Sequence, residues 1–107
     1  MDLVLIHPEV LLENAQISVL NGSKIEGKAS QTASRLRRLG FHVIDVGNYD
    51  SERPVFRTFL NDFSHDEKEK TREILEDVFD DASSNIIPPE EVPSDSLIDL
   101  QVILGTN

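Results

Sequence analysis

QISVLNGSKIEGKASQTASRLRRLGFHVIDV, residues 16–46, decides the fold. Gln16 to Leu20 alternates, with Ile17 and Val19 on one face and Ser18 and Leu20 on the other, which predicts a strand. Asn21-Gly22 ends it, because both residues tolerate the backbone angles of a sharp turn. Ile25, Ala29, Thr32, Ala33, Leu36 and Leu39 then recur at helical spacing, so a helix with one apolar side is expected. Gly27 is read as letting that helix approach the sheet. Gly40 stands where a helix ends in a left-handed cap. Phe41 to Val46 is the return strand. Strand, crossover helix and strand make a βαβ unit whose two strands run parallel.

Downstream, Gly47 to Pro54 is rich in turn formers and reads as an exposed loop. Val55 to Leu60 is the next strand, with Phe56, Thr58 and Leu60 on one face. A loop this short cannot provide a crossover, so the strand should run antiparallel to its predecessor. Ser64-His65-Asp66-Glu67 fits a capping box, and Thr71, Ile74, Leu75, Val78, Phe79 and Ala82 make the buried stripe of a second helix. Ser83 to Ser96, with Pro88, Pro89 and Pro93, reads as a long connection. Leu97 to Leu104 is the last strand, and its nearly continuous apolar run suggests a central or covered one. The order βαββαβ predicts an α+β fold of ferredoxin-like type, with two helices on one face of a four-stranded, mainly antiparallel sheet. The alternative is a small three-layer α/β sheet. Residues 1–15 stand apart as a linker or an extra edge strand, in which Leu3 to Ile6 is the strand candidate and His7-Pro8 its break. Exchange of that strand between two copies would make a homodimer.

The chain has 107 residues and no cysteine, which allows one domain with one core and excludes a disulfide framework or a thiol nucleophile. Its apolar runs are far too short to span a bilayer. Asp2 and Glu9 are acidic and no small-residue cleavage site follows, so this stretch does not read as a secretory signal. The net charge of -10 argues against a general nucleic-acid binder. That charge is uneven: residues 21–40 hold five basic residues against one acid, whereas residues 61–99 hold thirteen acids against three basic residues.

Gly22-Ser-Lys-Ile-Glu-Gly27-Lys28-Ala29 nearly matches a phosphate-binding loop, but Ala29 stands where that loop needs a hydroxyl for magnesium. No nucleotide or other cofactor is expected. His7, His42 and His65 have no ligand spacing, and Asp77, Asp80, Asp81, Glu90 and Glu91 lack the glycine and alternation of a calcium loop, so no metal site is expected. Gly-x-Ser-x-Gly does not occur. Asn21-Gly22-Ser23 has the form of a glycosylation acceptor but sits in a tight turn. Lys24, Lys28, Arg35 and Arg38 fall within about 80° of one another at about 100° per residue, away from the apolar side of the first helix. Such a stripe attracts anionic polymer.

VLNG at residues 19–22, GKA at 27–29, RLRRLGFHVIDVGN at 35–48, Thr58 within RTFL, and the closing VILGTN together resemble the C-terminal domain of the LytR-CpsA-Psr proteins of bacterial cell envelopes. The resemblance covers residues 16–107. Its carriers include Asn21, Gly22, Gly27, Gly40 and Gly105, all structural in kind. One departure is Asn107, where the family usually closes on an aspartate. The resemblance implies a non-catalytic accessory domain, because the transferase chemistry of that family resides in a separate domain that nothing here matches. It further implies a membrane-anchored parent protein, the extracellular face of the envelope, and a role in binding wall polymer or in attaching anionic glycopolymers to peptidoglycan. Lys24, Lys28, Arg35 and Arg38 are the residues through which this would occur. A protein–protein or dimerisation module is the alternative, and a nucleotide-binding fragment a more distant one.

Overall fold

The computed structural model describes residues 13–50, 52–64, 67–79, 82–92 and 96–106. The segment before residue 13, together with His7, His65, Asp80, Asp81 and Asn107, lies outside the described residues. The elements are β1 (Gln16–Asn21), α1 (Lys28–Arg38), β2 (His42–Asn48), β3 (Phe59–Asp62), α2 (Glu69–Val78), β4 (Ser83–Ile86), a 3-10 turn (Pro89–Glu91) and β5 (Leu100–Leu104). They form an α+β fold with one five-stranded sheet in the order β2-β1-β5-β3-β4.

The unit at residues 16–48 forms as its periodicity dictates. β1 buries Ile17 and Val19 completely and pairs in parallel with β2. Ala29, Ala33 and Leu36 bury the inner side of α1. The helix ends in a Schellman motif: Gly40 has φ 98°, the Phe41 N–H donates to Leu36 O at 3.1 Å, and the Gly40 N–H donates to Arg37 O at 3.1 Å. Phe41 and Leu36 are both buried, which supplies the apolar contact that accompanies this cap. Arg35, Arg37 and Arg38 fill the last turn, where cations suit the helix dipole. The helix starts at Lys28, so Ile25 precedes it and is 51% exposed rather than part of the apolar side.

Beyond residue 48 the sheet departs from the ferredoxin-like expectation in three ways. There are five strands rather than four, because Ser83–Ile86 pairs in parallel with β3 instead of belonging to a long connection. Ser83-Ser84-Asn85 is polar and short, as an edge strand tolerates. Three of the four pairings are parallel; only β3 with β5 is antiparallel. Two of the parallel pairings, β1 with β2 and β3 with β4, join strands linked by a helix, and such a crossover joins parallel strands; the third sets β5 beside β1. Finally, β3 occupies Phe59–Asp62 rather than Val55–Leu60. Residues 55–58 instead cross the ends of β1 and β5: the Val55 N–H donates to Gly22 O at 2.7 Å and the Thr106 N–H to Val55 O at 2.8 Å. Phe56 is accordingly 84% exposed. β3 does run opposite to β2, as expected, but β1 and β5 lie between them.

β5 is the central strand, with Leu100, Val102 and Leu104 on the core face and Ile103 buried on the other. Ile17 pairs with Leu100, and Val19 and Leu60 both pair with Val102, so these side chains share a face. Ala29, Ala33 and Leu36 of α1 and Leu75 of α2 join them in one buried cluster, with Ile74, Val78, Phe79 and Ala82 packed against it. Both helices therefore lie on the same side of the sheet, as right-handed crossovers in two oppositely directed units require. The units β1-α1-β2 and β3-α2-β4 flank β5, one parallel and one antiparallel to it.

Candidate functional site

The βα turn at residues 21–28 is held by side chains rather than by glycine alone. Asn21 is buried at the end of β1; its Oδ1 accepts from the Ser23 N–H at 3.1 Å and from Ser23 Oγ at 2.6 Å, and its Nδ2 donates to Ile25 O at 2.7 Å. Ser23 Oγ in turn accepts the Ile25 N–H at 3.1 Å. With its amide engaged and its side chain buried, Asn21 is not placed as a glycosylation acceptor. The glycines have other duties than expected. A Cβ on Gly22 would lie 2.8 Å from Val55 Cγ2 and 2.9 Å from Leu104 O, so this residue permits close approach. Gly27 has open space around it and φ 80°, so it supplies a left-handed backbone at the start of α1. Gly105 also permits close approach, since a Cβ there would lie 2.5 Å from the Arg57 carbonyl carbon.

The four basic residues separate in the structure. Lys24 is exposed in the loop with φ 63° and is not on the helix. Lys28 Nζ donates to Gly105 O, tying the start of α1 to the end of β5 rather than facing solvent. Arg35 and Arg38 are exposed on α1. Arg37, between them, turns to β2 and donates from Nε and Nη2 to Val43 O at 3.3 and 3.0 Å. Free positive charge is thus carried by Arg35 and Arg38 on the helix and by Lys24 beyond its start.

The carboxyl ends of β1 and β2 open into a recess of about 570 Å³ lined by Asn21, Lys24, Glu26, Asn48, Tyr49 and Asp50. Asn21 and Asn48 are register partners, and the Tyr49 N–H donates to Asn21 O at 3.0 Å, so the strand ends form a fixed floor. Sequence reading singled out Asn21 and Lys24 of this set. Tyr49 and Asp50 lie in a stretch that reads only as a loop, and its turn-former composition is the sole local signal.

Elsewhere the chemistry is structural. Asp62, fully buried at the end of β3, accepts from the Ser64 N–H at 2.8 Å and Ser64 Oγ at 2.6 Å and faces Arg72 Nε at 3.3 Å. Arg72 continues to Glu76 Oε1 at 2.8 Å. Ser64 Oγ accepts the Lys68 N–H at 3.2 Å, but the expected capping box with Glu67 does not form: the Ser64 N–H is taken by Asp62 and the helix begins at Glu69. The first turn of α2 is capped from afar: Glu13 accepts from the Lys70 N–H at 3.1 Å, the Thr71 N–H at 2.7 Å and Thr71 Oγ1 at 2.6 Å. Among the described residues no group of three or more His, Asp or Glu side chains is arranged to hold a metal ion. His42, Asp77, Glu90 and Glu91 are exposed.

A family model described as LytR cell envelope-related transcriptional attenuator matches residues 14–107. The chain belongs to this family. As a LytR-type C-terminal domain it is assigned to a cell-envelope protein. Its fold is similar to the crystal structure of the soluble domain of a conserved hypothetical secreted protein from Mycobacterium marinum, with a TM-score of 0.62 and 18% identity. That alignment covers 99% of this chain and 66% of the other, and at such identity it speaks for the fold alone. No curated protein matches the LytR-type chain. Among the described residues no helix is long and apolar enough to cross a membrane.

Proposed function

We propose that this LytR-type domain is a non-catalytic accessory module that binds anionic envelope polymer at the outer face of α1. Within a membrane-anchored parent on the extracellular face, it would assist attachment of such polymers to peptidoglycan. The observation that carries the reading is the exposure of Arg35, Arg38 and Lys24 in a segment with five basic residues against one acid, on a chain of net charge -10. A local excess of positive charge on an otherwise acidic molecule concentrates a polyanion there while the remaining surface repels it. Ser23 Oγ and Ser64 Oγ both bond to the strand-end side chain two residues earlier and serve the turns.

The test is co-sedimentation with purified anionic wall polymer at low and physiological salt. The K24Q/R35Q/R38Q variant spares Lys28, whose ammonium group is structural. Retention should fall by about tenfold in the variant, and wild-type retention should weaken as salt shortens the screening length to about 8 Å. Equal retention of both proteins would reject the reading.

A further inference from the structure

The recess at the carboxyl ends of β1 and β2 is not used by the helix face, and its chemistry differs. We propose that it is a binding site for one unit of a neutral saccharide. Its volume of about 570 Å³ falls within the roughly 300–1,000 Å³ of small-molecule sites. It lies outside the carboxyl ends of two parallel strands, beside the loop that leads into a helix. Charge decides the ligand class. Lys24 is outnumbered by Glu26 and Asp50, so the lining carries a formal charge of 1 - 2 = -1 and repels phosphate or carboxylate. A sugar meets no such penalty, since its hydroxyls both donate and accept.

The polar groups are available for that purpose. The side chains of Lys24, Glu26, Asn48 and Asp50 engage no partner among the described residues, whereas the Asn21 side chain beneath them is engaged in holding the turn. Asn48 and Lys24 donate, and Glu26 and Asp50 accept, which is the mixed set that a ring of hydroxyls needs. Tyr49, 36% exposed, brings an aromatic ring to the lining, a surface that suits the apolar C–H side of a sugar ring. The walls are preformed. The Asn21 bonds set one side, the Tyr49 N–H bond sets the other, and Lys24 is held at φ 63°, a left-handed conformation that non-glycine residues rarely adopt and that collects at ligand sites.

The site shares Lys24 with the polymer reading but does not rest on Arg35 or Arg38 of α1. Its test is titration of the 107-residue chain with cellotetraose, chitotetraose and maltotetraose, followed by amide chemical shifts, with inorganic phosphate as the charged control. Saturable shifts at Lys24, Glu26 and Asn48 to Asp50 with at least one oligosaccharide, and none with phosphate, are expected. Y49F should retain the affinity, Y49A should lose about tenfold, and R35Q/R38Q should bind as wild type. No saturable shift with any of the three at about 10 mM, equal affinity in Y49A, or the same residues responding to phosphate would each overturn the site. Retention of anionic wall polymer by a chain that ignores all three sugars would overturn this site and leave the helix-face reading standing.

Discussion

Gly22 and Gly27 stand five positions apart in one loop, yet they are glycine for different reasons. At Gly22 an added methyl meets the Val55 side chain and the Leu104 carbonyl inside 3.0 Å, and the carbonyl belongs to the central strand and cannot move cheaply. At Gly27 the methyl meets nothing nearer than 4.0 Å, and only the left-handed backbone resists it. Gly22→Ala should therefore cost about 1–3 kcal/mol, as overpacking does, and Gly27→Ala about 1 kcal/mol. Gly105→Ala, wedged against the Arg57 backbone, should cost at least as much as Gly22→Ala. Urea denaturation of the three variants checks the order, and a larger loss at Gly27 than at Gly22 would contradict it.

Both βα turns are built on one device. Asn21 and Asp62 each end a strand, and each accepts from the N–H and Oγ of the serine two residues later. The helices that follow are treated differently. α1 has no acid in its first turn and no side-chain cap, whereas α2 receives the Glu13 carboxylate on two backbone N–H groups and the Thr71 hydroxyl. That carboxylate satisfies orphan donors and suits the positive end of the helix dipole. Glu13→Ala should destabilise the domain by about 1–2 kcal/mol and speed amide exchange at Lys70 and Thr71 before other α2 amides. Hydrogen exchange resolved by residue checks this, and unchanged protection at those two amides would show that the bonds contribute nothing.

Across the whole molecule, burial falls from the middle of the sheet to its flanks. β1 and β5 are buried along most of their length and pair on both sides, while β4 pairs only with β3 and is largely exposed. Local opening should follow that gradient. Amides of Ser83 to Ile86 should exchange well before those of Val19 and Val102, which open only when the domain unfolds. Comparable protection in β4 and β5 would mean that the edge is stabilised by something beyond its pairing.

The first βαβ unit was legible because its signals are local. Alternation in Gln16–Leu20, the 3.6-residue spacing of Ala29, Ala33 and Leu36, and Gly40 at the cap all act within a turn or a few strand residues. The α+β class followed from the element order, the central place of the last strand from its apolar run, and the family from short motifs spread between Val19 and Asn107. The fifth strand was not legible, because Ser83-Ser84-Asn85 has no apolar alternation and becomes a strand only by pairing with β3. The cap on α2 joins residues 58 positions apart, and such a contact leaves no local trace. The duties of Gly22 and Gly27, the fate of Lys28 and the gathering of Tyr49 and Asp50 beside Lys24 likewise depend on which chain segments meet. Local periodicity and caps thus belong to the sequence, whereas close approach, long-range capping and the recess exist only where distant backbone is brought together.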